Sequence, residues 1–405
     1  MNYNFHFLVT IHLLIATTIC SAMENKPIIV AEFSTNNPDY ESFITDDHLV
    51  INNKKECKII DLTTRKTITK IINTTSAKLS AHPNKNFFAL SDTKKITIYD
   101  TKTGKEKWNI LEDKNSAIHS CMFSPSDDTL FVWQIDYTPF YRLSAYNYRI
   151  NKVLLTKIST DSSLTPPCMD IHPKKPQLCL RHHASTSKEC YHQLVRVNSI
   201  KQNDMIDIYD HDRGKSLYEK TKSLTAPSNS IWCVKYSPNG SLLATVSKLA
   251  ITLINLTNGL AATLNQLPSY HDSFSSIEFH PNPHSCVLVA LLLTNCNHND
   301  LKTPVDYYVI LRYFDIHTKK IISEISLSDI YPFCWVKKEK VLLSFSPNGK
   351  NLMVNLNDRC VILEVPHNVI YQPMALNKLL LLYKILDQHN LPHDIMPLFL
   401  EAFKR

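Results

Sequence analysis

The chain has 405 residues, 44% of them hydrophobic and 20% charged, with a formal net charge of +7. It describes an ordinary soluble globular chain with ample material for a core, and its continuous repeats favour one large domain over two smaller ones. Its five glycines, at 104, 214, 240, 259 and 349, all fall in hairpin turns, which excludes a Walker loop and a dinucleotide fingerprint, since both need glycine against phosphate.

Phe5 to Ile19 form an apolar run, and Cys20-Ser21-Ala22 after it has the small-residue pattern of a signal-peptide cleavage site. The run is shorter than the roughly 20 residues of a membrane span. Residues 1–22 therefore read as a signal peptide, and the mature chain as exported, periplasmic or secreted, with no transmembrane span. Met1 to His6 lacks Lys and Arg, so a membrane anchor or a cytoplasmic chain stays open as the alternative. The 11 cysteines include no Cys-x-x-Cys spacing and lie mostly in apolar segments, as buried thiols would. That many free thiols pull against an oxidising compartment.

Residues 23–372 carry a repeat of short apolar segments and turns. A first unit uses His48 to Asn53, Cys57 to Leu62 and Lys66 to Ile72, with an upstream strand within Pro27 to Phe33. A second spans Ala77 to Leu111. A third starts at Ala117 and contains Leu130 to Ile135, Phe140 to Tyr148 and Asn151 to Ile158. A fourth starts near Cys168 and is interrupted by an insertion, His182 to Asp204, before Met205 to Tyr209. The fifth is the clearest: Trp232 to Tyr236, a Ser237-Pro238-Asn239-Gly240 turn, Leu242 to Val246, Ile251 to Asn255, a turn ending at Gly259, and Leu260 to Leu264. The sixth starts at Phe274, with a polar insertion from Asn295 to Pro304 before Tyr307 to Asp315, and the last ends at Val365. Four short strands in about 35 residues are the size of one propeller blade.

Two turns recur. The first is His82-Pro83-Asn84, Ser124-Pro125-Ser126, His172-Pro173-Lys174, Ser237-Pro238-Asn239, His280-Pro281-Asn282 and Ser346-Pro347-Asn348. The second opens on Asp61, Asp100, Asp210 or Asp315 and ends on Lys. Proline fixes the first central residue of such a turn, and Asn or Gly accepts a positive angle at the next. The Ser-Pro-Asn-Gly turn, and the aromatic-Asp pairs Tyr99-Asp100, Tyr209-Asp210 and Phe314-Asp315, resemble the WD-repeat family across Leu49 to Pro366. No Trp-Asp dipeptide and no Gly-His pair occurs.

The expectation is an all-β, seven-bladed β-propeller of four-stranded antiparallel blades, with six or eight the neighbouring counts. A terminal strand should close the ring, Pro27 to Phe33 being the first candidate and Val369 to Pro373 the second. Residues 373–405 form a tail with a helix from Ala375 to His389, its Leu376, Leu379, Leu380, Tyr383 and Leu386 on one face.

No reaction is announced. His182, His183, Cys190 and His192 are acceptable zinc-ligand types without a recognised spacing, and His280, His284, Cys296 and His298 are a weaker set, so neither a metal nor any other cofactor is expected. No Gly-x-Ser-x-Gly elbow occurs. Basic pairs such as Lys94-Lys95 and Lys319-Lys320 sit beside turns of different blades, a solvated rim that does not call for nucleic acid. Three glycosylation sequons, at Asn73, Asn239 and Asn255, read as chance matches. The resemblance implies a non-catalytic scaffold that grips a protein partner; the insertions and the tail are the variable parts available for specificity, so contacts are expected there, at Tyr191, His192, Asn297, His298, Leu382 and Ile385. The alternatives are an enzyme or small-ligand propeller using the central channel, and an envelope-associated structural protein.

Overall fold

The computed structural model describes residues 28–369, apart from 35–37, 54–55, 73–77, 84–85, 93, 112–115, 126–127, 137–140, 150–151, 154–157, 161–168, 175–176, 184–203, 213–216, 226–230, 269–271, 296–306, 329–341, 357–358, 367–368. The described residues form a β-propeller of antiparallel blades. Strand β1 (Ile29–Ser34) stands apart from the run that follows it. The first blade is β2 (Pro38–Phe43), β3 (His48–Asn53), β4 (Glu56–Asp61) and β5 (Thr67–Ile72). The second is β6 (Lys78–Ala81), β7 (Phe87–Ser91), β8 (Lys95–Asp100) and β9 (Glu106–Leu111). The third is β10 (Ser116–Phe123), β11 (Thr129–Asp136), β12 (Tyr141–Asn147), β13 (Lys152–Val153) and β14 (Ile158–Thr160). The fourth is β15 (Met169–Ile171), β16 (Gln177–His183), β17 (Asp204–Asp212) and β18 (Leu217–Thr225). The fifth is β19 (Cys233–Tyr236), β20 (Leu242–Val246), β21 (Ala250–Asn255) and β22 (Ala261–Gln266). The sixth is β23 (Asp272–Phe279), β24 (Val287–Asn295), β25 (Tyr307–Asp315) and β26 (Lys320–Ser326).

These six sheets are each one continuous run of chain. A further sheet is composite: β27 (Leu342–Phe345), β28 (Asn351–Asn355) and β29 (Arg359–Glu364) pair in order, and β1 adds to β29 as the outer strand. Ile29 faces Leu363 and Ser34 faces Arg359, so the sheet is closed by Ile29 to Ser34, from the first of the two candidate segments, whose Pro27 lies outside the described residues. That segment is therefore not the inner strand of the first blade. That place belongs to Pro38–Phe43, where proline sits at the first residue of a strand and forfeits no interior ladder bond. The third blade also departs from the single last strand expected over Asn151 to Ile158: β13 and β14 both pair with β12. The segment Val369 to Pro373 and the helix from Ala375 to His389 fall outside the described residues, apart from Val369.

Blades meet through their first strands, β6 beside β2 and β10, β19 beside β15 and β23, and β27 beside β23 and β2. The core lies between blades. Leu253 and Ala244 of the fifth pack with Phe274 and Leu292 of the sixth. Ile59 of the first meets Phe88 of the second. Ala31 and Ile362 of the composite blade meet Leu49 of the first. Middle strands are covered on both faces, which is why Leu243 to Val246 and Leu352 to Asn355 are buried without alternation. The outer β22 exposes alternate residues and reads as a half-covered strand.

The two recurrent turns lie on one face and are tied together. Leu62 N donates to Asp47 O, Thr101 N to Asn86 O, Tyr148 N to Asp128 O, Leu256 N to Ser241 O and Ile316 N to Cys286 O, each joining the third turn of a blade to its first. The turn acids act as local acceptors. Asp61 Oδ1 takes the Thr63 and Thr64 amides, Asp100 Oδ1 that of Thr103, and Asp315 Oδ1 those of His317 and Thr318. Asn239 and Asn255, the two described sequon residues, serve their turns in the same way.

Candidate functional site

Each first strand ends in an apolar residue followed by the turn, and the residue before that apolar one occupies an equivalent inner position in every blade. These residues are Ser42, Ser80, Met122, Asp170, Lys235, Glu278 and Ser344, and all are half-buried. Innermost strands border the central channel of a propeller. Three consecutive blades, the fourth to the sixth, therefore present acid, base and acid to the ring's interior, where the other blades present Ser or Met.

The three charges are joined across blades. Lys235 Nζ lies 2.7 Å from Glu278 Oε2. Asp170 Oδ2 accepts the Tyr236 amide at 2.6 Å. Burial pushes the Asp170 carboxyl up to about 6, against the opposing pull of Lys235 and the Tyr236 amide. Burial works against the Lys235 ammonium as well, but Glu278 and then Asp170 outweigh it and hold the group protonated above its ordinary value. Cys233, one inward position earlier on β19, has its thiol pushed up to about 11 by burial. A lysine held charged and a thiol held protonated are poor nucleophiles. The set is an ionic tie between first strands, with the Asp170 carboxyl raised toward neutral pH.

A second constellation explains the alternation of His and Ser at the turn. His82, His172 and His280 belong to the second, fourth and sixth blades, and Ser124, Ser237 and Ser346 to the third, fifth and composite ones. Each imidazole packs on the aromatic residue ending the next blade's first strand: His82 on Phe123 at 4.8 Å between ring centres, His172 on Tyr236 at 5.2 Å, His280 on Phe345 at 5.3 Å. Nδ1 of His172 accepts the Lys174 amide and Nδ1 of His280 the Asn282 amide, which places the ring proton on Nε2. That nitrogen abuts Gly240 or Gly349 of the following turn, where a Cβ would collide with the ring. In the third blade the turn has no glycine, and Tyr148 closes over His82 instead, its hydroxyl 3.3 Å from Nε2 and donating to Asp128 Oδ1. Burial, partly offset by the Gly349 backbone, holds the His280 imidazole below its ordinary value. His280 is thus a packing residue between blades; of the other members of its weaker His-Cys set, His284 is described and Cys296 and His298 lie outside the described residues.

Tyr191, His192, Asn297, His298, Leu382 and Ile385 all lie outside the described residues, as does Cys190. The strand ends that bracket the two insertions are described. His183 pairs with Asp204, and Asn295 with Tyr307, so both insertions join a second strand to a third. Such connections leave from the face opposite the tied turns. Among the described residues no group of three or more His, Cys, Asp and Glu is placed to hold a metal. The described cysteines, Cys57, Cys121, Cys179, Cys233, Cys286 and Cys360, are free thiols. Among the described residues no helix is long and apolar enough to cross a membrane.

The sequence already held the signal for the inner ring, since each of these residues stands three before the turn proline wherever that proline exists. The signal becomes legible only once the first strands are known to be the inner ones. No protein-family model matches the chain, and no curated protein does.

Proposed function

We propose that the protein is a non-catalytic, WD-repeat-like scaffold that presents one propeller face, and a C-terminal helix, to a protein partner. The observation carrying this reading is the asymmetry of the two faces. On one, the first and third turns of five blades are short and hydrogen-bonded to each other. The connections on the other are free to vary in length, and the two insertions, residues 184–203 and 296–306, both belong to it. A rigid ring with variable connections on one face is the arrangement that separates scaffold from recognition. Tyr191, His192, Asn297 and His298 are the contacts proposed on the insertions, and Leu382 and Ile385 those on the helix. We place the protein in an exported compartment after loss of residues 1–22.

The test is affinity capture from native cells. The wild type should retain a specific protein that is lost from the Tyr191→Ala/His192→Ala, Asn297→Ala/His298→Ala or Leu382→Asp/Ile385→Asp variant, and peptide mapping should find an N-terminus at Met23. An identical captured set from wild type and all three variants would overturn the assignment. Asp170 supports a second reading, a small ligand held in the channel, because its carboxyl is poised near neutral pH. A ligand whose binding is abolished by Asp170→Asn and Lys235→Met, with protein capture unchanged, would favour that reading.

A further inference from the structure

Among the described residues, the large apolar side chains left exposed are Ile28, Ile29, Ile68, Leu260, Tyr308, Ile321 and Leu342. All but Tyr308 and Leu342 sit where an outer strand begins. Leu260 precedes β22, Ile321 is the second residue of β26, Ile28 precedes β1 and Ile29 opens it, and Ile68 is the second residue of β5. These strands belong to four successive blades, the fifth, the sixth, the composite and the first. The turn pairings fix the register: Asn255 N donates to Leu260 O, Glu364 N to Ile28 O and Asp61 N to Lys66 O, and Asp315 faces Lys320, so Leu260, Lys320, Ile28 and Lys66 are equivalent, with Ile29 and Ile321 one residue and Ile68 two residues further along their strands. Isolated exposed aliphatic residues need no explanation. Their recurrence around the start of the outer strand in four consecutive blades does.

Basic residues accompany them. Arg65 and Lys66 lead into Ile68, Lys319 and Lys320 lead into Ile321, and all four are exposed. The neighbouring carboxylates of Asp61 and Asp315 are occupied by the amides of their own turns. We infer that this arc of aliphatic tips and cations, on the face of the tied turns, is a contact for an anionic lipid surface. Leu260, Lys320, Ile28 and Lys66 hold equivalent positions on four blades of one ring, an alternation of aliphatic and cationic side chains at one height that suits a flat partner. A protein interface is built around a contiguous apolar centre enriched in aromatic residues and depleted of Lys. Here the tips are separate, aliphatic and interleaved with Lys, an arrangement a headgroup layer accommodates because each tip enters it independently and the cations remain at the charged surface.

The experiment is sedimentation of the purified full chain with vesicles of phosphatidylcholine alone and with phosphatidylserine added. Binding is expected only with phosphatidylserine, falling about tenfold on raising salt beyond physiological strength. Leu260→Ser/Ile321→Ser and Lys319→Glu/Lys320→Glu should each weaken it by about tenfold or more, with circular dichroism and thermal transition unchanged. Absence of binding, equal binding to neutral vesicles, or full binding by either variant overturns the inference. So does a captured protein that the same variants lose while vesicles never bind. Loss of capture through the insertions leaves this arc untouched, so the two assignments fail separately.

Discussion

The contact between His280 and Gly349 gives a measurable test of how the blades interlock. Gly349 has φ of 74° and Gly259 a φ of 73°, yet a Cβ at 349 would meet the His280 ring whereas one at 259 would meet nothing within 4 Å. Gly259→Ala therefore reports the left-handed strain alone, roughly 1–2 kcal/mol, less the roughly 0.4–1 kcal/mol gained by restricting the unfolded chain. Gly349→Ala adds an overpacked imidazole that is only 2% exposed and braced on Phe345, so about 1–3 kcal/mol more. Urea titrations followed by tryptophan fluorescence and circular dichroism, compared at constant m, give both values. Combining Gly349→Ala with His280→Ser should recover most of the difference, a coupling of about 1–3 kcal/mol. Equal effects of the two alanines, or additivity in the double variant, would refute the interlock.

Three further outcomes follow from particular residues. Asp170 binds its proton more tightly in the folded state, so the term it contributes falls as pH rises from about 4 to about 6; Asp170→Asn should abolish that decline, worth at most about 3 kcal/mol, in stability measured across this range. His280 acts with the opposite sign: its lowered value favours the fold above its unfolded pKa of about 6.5 and loses that contribution on acidification, so His280→Ser should flatten the profile below that pH. Lys319 and Arg65 both adopt φ near 57° and 56°, but Arg65 Nη2 also donates to Val30 O at 2.7 Å. Lys319→Gly should raise the unfolding free energy from urea titration by about 0.5–1 kcal/mol, whereas Arg65→Gly should give no gain, because it releases a bond to the closing strand.

Turns were the most legible part of the sequence because their residues are chosen by backbone chemistry that acts over four positions. Ser237-Pro238-Asn239-Gly240 and the Asp100 to Lys105 turn specify their own geometry, and the strands of the fifth blade follow to within two residues. Pro38–Phe43 was hidden for the converse reason. Its Pro, Asp and Glu suppress the apolar pattern that marks strands elsewhere. The role of His82, His172 and His280 was equally hidden, since each acts on the blade after its own. A local reading sees a His-Pro turn, and only the neighbouring ring and glycine show why the imidazole is there. The ionic set of Asp170, Lys235 and Glu278 is spread over three repeats and converges through strand order alone.

The composite blade places a constraint on the order of events in time. Glu32 and Arg359, whose side chains meet across β1 and β29 at 3.3 Å, are 327 residues apart in sequence. During synthesis β1 emerges first and its partner among the last of the propeller, so the closing strand must wait with its ladder groups unpaired while six continuous blades are made. Closure joins the most distant contacts of the domain, the slowest kind to form. The waiting strand is also an open edge on which another chain can pair. A growing chain is thus most vulnerable to misassembly until the segment from Arg359 to Glu364 has left the ribosome, and shielding of β1 until then is the protection it most needs.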